Sequence, residues 1–415
     1  MILKIAAILP HNPFFVSSAS ANRWRTMIEG LANLGIEMHL IVLRGYQSKE
    51  EFKELGFNGV KNDVFCHYTL FMLNNSLAWR RLSRYILLPV LKRVNSYRAN
   101  KLINEIDPDI LFIHPSLEVF EVYISIRNKQ KHPRLLMTEL NEFEDVKITN
   151  AYNQIQRKQH IRSNDLLIND ILPSVNIFLV MTQKLLKHYQ SLVKNTNAKF
   201  FHLPMTVDLK RFSEISKQVK KEPYVMYLGA MGNNKDGVDI LIKAFSKICN
   251  KFPKHKLILV GPYSISVPQQ KLLIKQLALE DRILYLGEKH RDEVPQLLSD
   301  ADLLVLPRPD SRQAQGGFPT KLGEYLATAN PVCVTKVGEI PDYLDDEVSA
   351  FLAVPGDIDS FADAMERALG NKQSAKEVGQ KGKEVAEKHF NMEIQAKRLY
   401  EFLLEYMNTT KKTSK

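Results

Sequence analysis

Gln315-Gly-Gly-Phe-Pro-Thr-Lys-Leu-Gly-Glu-Tyr-Leu-Ala327, followed by Asn330-Pro-Val-Cys-Val-Thr335, reads as a glycine loop, a short helix and a buried strand. Pro319 suits the first turn of a helix, where its missing N–H costs nothing. Gly316 and Gly317 allow backbone amides to approach a ligand closely. A helix start gathers unpaired N–H donors and a partial positive charge, which together favour phosphate. Lys321 falls in the first turn and adds a point charge. Glu324 lies three residues further along the same face. A carboxylate beside a phosphate is useful when it accepts hydrogen bonds from hydroxyls, as a ribose would supply. The alternative is an ordinary helix N-terminus with a solvated Lys–Glu face.

Outward from this stretch, the chain alternates strand and helix twice. Residues 2–9 form a β-rich run, 11–20 a turn-rich segment, 23–34 a helical pattern stopped by Gly35, and 36–43 a second strand. That βαβ unit is the building block of a parallel, doubly wound sheet. The loop after the first strand faces the carboxyl edge of the sheet, where such folds bind ligands, so Ser18 and Arg23 are candidate site residues. Ser/Asn clusters also cap helices. Further strands are expected at 109–114, ending on His114, and at 134–138, followed by Glu139-Leu-Asn141 and more acidic residues. Strands at 176–182 and 199–203 complete this half, and 204–221 reads as a connection.

The second half begins with a strand at 224–228 and the loop Gly229-Ala-Met-Gly-Asn-Asn-Lys-Asp-Gly237. Lys235 supplies charge just before a helix, making this a second phosphate candidate; a plain strand-to-helix turn is the alternative. Strands at 256–261, 283–287, 303–307, 332–335 and 350–354 alternate with helices. The expected domains are 1–205 and 206–390, with a last helix, about 391–408, returning to the first.

At 415 residues there is ample length for two cores. The formal net charge of +11 and pI near 9.3 imply an acidic partner: nucleic acid, anionic lipid or a phosphorylated small molecule. Cys66, Cys249 and Cys333 show no metal-ligand spacing, and a cytoplasmic setting is expected. No apolar run approaches the roughly 20 residues of a membrane-spanning helix.

Residues 77–101 carry Arg80, Arg81, Arg84, Lys92, Arg93, Arg98 and Lys101 with no acidic residue, interleaved with Trp79, Tyr85 and aliphatics. Pro89 is expected to kink or split a helix there. Such a segment suits an anionic membrane surface, or else is a core helix with a basic outer face. No nucleic-acid recognition module is legible, so no nucleic-acid partner is expected.

Tyr227-Leu-Gly-Ala230, Lys235-Asp-Gly-Val-Asp239, Leu259-Val-Gly261, Leu286-Gly287, Val305-Leu-Pro307 and the opening stretch occur in an order that resembles glycosyltransferase family 4. Thr335-Lys-Val-Gly-Glu-Ile-Pro341 and Pro355-Gly-Asp357 continue the likeness. It is close over about 200–400 and looser before. The resemblance implies the α/β GT-B architecture, two Rossmann-like domains facing a cleft. It also implies transfer of a sugar from a nucleotide donor with retention, no cofactor and usually no metal.

By that resemblance, Lys235 neutralises donor phosphate and Glu324 accepts ribose hydroxyls. The backbone of Gly316, Gly317, Phe318, Pro319 and Thr320 faces diphosphate and sugar, with Gly229 beside them. Relatives often carry a glutamate eight residues before the Glu324 position, where this chain has Gly316, and an arginine after the first glycine, where it has Ala230. Lys321 is expected to supply the missing charge. His114 is expected at the donor sugar, and Ser18, Arg23, Glu139 and Asn141 on the acceptor side. The acceptor is expected to be a glycan or lipid-linked molecule, with peripheral placement at the inner membrane face. A nucleotide-sugar epimerase and a basic lipid- or nucleic-acid-binding scaffold are the other classes weighed.

Overall fold

The computed structural model describes residues 2–70, 88–130, 134–149, 153–216 and 222–413, which fall into two compact units. Unit 1 comprises Met1–Leu203 with Gln395–Lys415, and unit 2 comprises Pro204–Ile394.

Unit 1 is built on eight strands: β1 (Lys4–Leu9), β2 (Glu37–Val42), β3 (Asn58–Lys61), β4 (Val64–Tyr68), β5 (Ile110–Ile113), β6 (Leu135–Leu140), β7 (Ile177–Val180) and β8 (Lys199–His202). Their order is β3-β4-β2-β1-β5-β6-β7-β8, and every pairing is parallel except β3 with β4. The near-continuous apolar strands follow from burial on both faces. Ile5, Ala7 and Leu9 enter one core, with Trp24, Met27, Ile28 and Leu31 of helix α1 (Ala19–Ala32). Ala6 and Ile8 enter the other, which α2 (Leu88–Ile106), α3 (Leu117–Ile126) and α4 (Gln154–Leu166) help cover. Trp24 packs 4.2 Å from Phe112, and burying one such ring stabilises the fold by about 2–3 kcal/mol.

One detail differs from expectation. The β3–β4 hairpin is not legible in the sequence, because β3 is a short edge strand with exposed and half-buried positions only. Its turn is Asn62-Asp63, both with positive φ (50° and 59°), the conformation a tight two-residue hairpin needs. The kink expected at Pro89 falls at the edge of the described residues. Residues 71–87 of the basic stretch lie outside the described residues.

Unit 2 carries six parallel strands: β9 (Tyr224–Leu228), β10 (Lys256–Val260), β11 (Ile283–Gly287), β12 (Leu303–Leu306), β13 (Val332–Thr335) and β14 (Phe351–Ala353). They are ordered β11-β10-β9-β12-β13-β14. The order reverses between β9 and β12, and the crevice at such a switch point is where open α/β sheets take ligands. Helices α5 (Val238–Ile248) and α6 (Thr320–Ala327) leave the carboxyl ends on either side of it. The C-terminal helix α7 (Met392–Thr413) contributes Leu399 and Leu403 to the α1-side core of unit 1. Among the described residues no helix is long and apolar enough to cross a membrane.

Candidate functional site

At the switch point of unit 2, the loops after β9 and β12 pack directly on one another. After β9 the chain turns at Gly229, runs through a four-residue helix, Asn233–Asp236, and passes into α5 through Gly237. Gly237 has φ +71°, and a Cβ there would lie 1.9 Å from the carbonyl oxygen of Pro307, which follows β12. Only glycine permits this approach.

Lys321, on the first turn of α6, reaches into the same corner. Its Nζ donates to Asp236 Oδ1 (2.8 Å) and to the Tyr227 hydroxyl (2.9 Å), and it lies 4.6 Å from the Tyr227 ring centre. A Cβ on Gly229 would stand 2.1 Å from that nitrogen, so the missing side chain makes room for the ammonium. The Lys321 side chain is 17% exposed and Asp236 7%. Arg308, after β12, is buried next to them, and Lys235 is exposed on the loop.

Both members of the ion pair titrate lower than usual. Burial alone raises the Asp236 carboxyl, but the charge and hydrogen bond of Lys321, with Lys235 and Arg308, outweigh it and lower it overall. Burial lowers Lys321; Asp236 opposes this, while Arg308 and Lys235 add repulsion. A mutual pair alone would move the two in opposite directions. Burial is thus the main cause for Lys321, whereas the three cations around one carboxylate are what hold Asp236 low. Such a corner suits an anion.

α6 starts at Pro319, which occupies the cap position itself, and no side chain caps the helix. Glu324 accepts from Arg211 Nη1 through Oε1 (2.8 Å), and Arg211 Nη2 donates to the Arg291 carbonyl (2.7 Å). Arg211 thus orients the carboxylate, and its Oε2 makes no hydrogen bond to a described residue. Tyr325, next on α6, accepts from the Leu228 amide at 2.7 Å and ties α6 to the end of β9.

One expectation for this stretch changes. The glycine loop is partly helical, because Arg312–Gly316 forms one turn capped by Ser311, whose hydroxyl accepts from Ala314 N. Phe318 is 6% exposed and packs on Phe390 and Tyr343, with ring centres 5.2 and 5.5 Å away, so its side chain anchors the loop. Gly316 is buried and supplies no carboxylate. Asp310, on the same loop, accepts from Gln315 Nε2 at 2.5 Å. Asp236, Tyr227, Arg308 and Arg211 were not singled out. The only sequence signal for them was position beside a strand end or a motif.

The residues expected on unit 1 separate into two groups. Ser18 is the N-cap of α1 and accepts from Ala21 N. Arg23 and Glu139 face one another at 2.7 Å with side chains 1% and 0% exposed, and Arg23 Nη2 donates to the Leu203 carbonyl. Arg23 and Glu139 are tied to one another, because a buried charge requires its partner, and Glu139 also lines the cavity that holds Asn141. His114 does sit at an edge, between β1 and β5, where the order of this sheet also reverses. It lies 3.3 Å from Ser20 Oγ and against the Trp24 ring. Burial, then Lys147, Arg44 and His11, push His114 down to about 3, so it is neutral near pH 7. Arg44 is hydrogen-bonded to His11 across the same edge (3.0 Å). Asn141, after β6, lines a small cavity with Glu142, Lys147 and His160.

Residues 209–385 match the family model described as glycosyl transferases group 1. N-acetyl-alpha-D-glucosaminyl L-malate synthase of Bacillus anthracis is 30% identical over 158 residues, 38% of this chain and 39% of that protein. The match therefore spans about two fifths of that relative's length. Among solved structures, sucrose-phosphate synthase of Thermosynechococcus elongatus aligns with TM-score 0.77 at 17% identity, covering 98% of this chain and 100% of that one. HepE of Anabaena, solved in complex with UDP-glucose, aligns with TM-score 0.69 at 15% identity, covering 97% and 100%. At such identities the likeness is one of fold, the GT-B type.

Proposed function

We propose that this chain, which through residues 209–385 belongs to the glycosyl transferases group 1 family, moves a sugar from a nucleotide-sugar donor to a glycan or lipid-linked acceptor with retention of configuration. The observation that carries the reading is the positive corner at the β9/β12 switch point, where Lys321, Arg308 and Lys235 surround one carboxylate. Departure of the leaving group builds negative charge on a diphosphate, and preorganised cations in a partly dry site stabilise that charge most. Arg308 takes the part of the arginine that the motif lacks at Ala230. Glu324, held by Arg211 through one oxygen, offers the other to ribose hydroxyls. Asp310 is the carboxylate available on the loop where Gly316 replaces glutamate.

The developing oxocarbenium ion needs a well-placed acceptor more than a strong protein base. His114, neutral and at the switch-point edge of unit 1, suits a hydrogen bond to donor sugar better than neutralisation of phosphate. Asn141 belongs to the acceptor side of this reading, and an anionic membrane surface is the further partner, consistent with the basic α2.

A panel of nucleotide sugars, followed by slow hydrolysis and thermal shift, tests the assignment. One donor should be consumed and should raise the unfolding temperature, and Lys321→Ala should slow turnover by about 100-fold with the fold retained. Unchanged turnover in Lys321→Ala would remove the lysine from the mechanism. Isomerisation of a nucleotide sugar without acceptor would point to an epimerase instead.

A further inference from the structure

On the outer helical layer of unit 1, α2, α3 and α4 enclose a groove of about 540 Å³, a size ordinary for small-molecule sites. Its accessible apolar lining includes Ile124 and Leu166, with Tyr97 at the rim, 72% exposed, over a floor of the core residues Val122 and Ile126. Four cations line it, Lys92, Arg93, Lys129 and Arg162, against one carboxylate, Glu121. Glu121 is shared, pairing with Lys92 at 2.5 Å and with Arg162 at 2.9 Å. Arg93 and Lys129 have no ion-pair partner among the described residues. Asn100 Oδ1, also in the lining, is shut off from solvent without a hydrogen-bond donor.

A merely solvated basic face would not combine a concavity, buried aliphatic lining and surplus charge. A free nucleotide would leave the aliphatic lining idle. A neutral chain would leave the cations idle. Arginine beside lysine around an apolar slot fits an oxyanion head attached to a hydrocarbon tail.

We propose that this groove binds an amphiphile with a phosphate head and a single hydrocarbon chain, the class to which isoprenyl phosphates belong. The head lies against Arg93 and Lys129 and the chain along Ile124 and Leu166, beside Tyr97. The site lies within unit 1 and does not depend on the sugar-transfer reading. Part of the excess basicity of the chain is thereby given a ligand.

The test is calorimetric titration of the full chain with monomeric farnesyl phosphate, with farnesol and with inorganic phosphate. Farnesyl phosphate should bind at least about ten-fold more tightly than either of the others. The double variant Arg93→Glu/Lys129→Glu should weaken that binding by about ten-fold or more while unfolding temperature and nucleotide-sugar binding stay as in the parent. Ser125→Trp, which fills the groove from an exposed position without changing charge, should weaken it as well. Equal binding of farnesol or of inorganic phosphate, or unaltered binding by either variant, overturns the proposal. So does binding to phosphatidylglycerol vesicles with none to the monomer, which would signify a surface patch only.

Discussion

Lys321 Nζ and Asp236 Oδ1, 2.8 Å apart and 85 residues apart in sequence, hold the loop after β9 to the start of α6. The surrounding cations lower the pKa of Asp236, and burial lowers that of Lys321. Asp236 is therefore a positioning residue for the lysine, and its carboxylate offsets only part of the surrounding positive charge.

Asp236→Asn should cost about 3 kcal/mol of stability in urea unfolding, because it leaves a largely buried ammonium without its counter-charge. The folded-state pKa of Asp236 lies below its ordinary value of 3.8. Its stabilisation is thus present above that value and is lost as pH falls through the folded-state pKa. The variant should show a shallower loss of stability in acid than the parent. Identical acid limbs would mean that the pair contributes nothing.

Gly229→Ala and Gly237→Ala should separate function from folding. The first places a Cβ against the end of the Lys321 side chain at a φ of +151°, so donor KM should rise by about ten-fold with some backbone strain added. The second drives a Cβ into the Pro307 carbonyl at a left-handed position. Backbone cannot yield as a side chain does, and a loss of about 2 kcal/mol or more is expected. Chemical denaturation with donor titration distinguishes the two.

Glu139→Gln should behave as a stability variant. Arg23 would lose its buried counter-charge, at about 3 kcal/mol. Turnover per folded molecule should match the parent at a temperature where both are folded. A selective rise in acceptor KM would instead return Glu139 to the acceptor side.

Arg211→Gln should raise donor KM with little change in kcat. The arginine orients Glu324, and a ribose contact is made equally in the ground state and the transition state. A fall in kcat alone would place Arg211 and Glu324 closer to the chemistry.

The strands were legible because their pattern is local. β9 and β13 coincide with the runs read at 224–228 and 332–335, since strands buried on both faces are unbroken apolar runs bounded by turn residues. The edge strand β11 coincides with 283–287 because its residues 283–286 are apolar or aromatic throughout. The glycine loops and Lys321 were legible as motifs. The β3–β4 hairpin was not, because an exposed edge strand carries no such run. The basic stretch reads as one segment, but its groove depends on α3, the helical turn after it and α4, which contribute Glu121, Lys129 and Arg162.

Two parallel-sheet halves, the second with glycine-bearing loops at its carboxyl edge, thus follow from periodicity and local motif alone. Which charges neutralise one another does not. Arg23 with Glu139, Arg211 with Glu324 and Lys321 with Asp236 are separated by 116, 113 and 85 residues. No local propensity links partners at that distance. Chain topology alone brings them into contact, and burial then decides which act as structure and which remain available to a ligand.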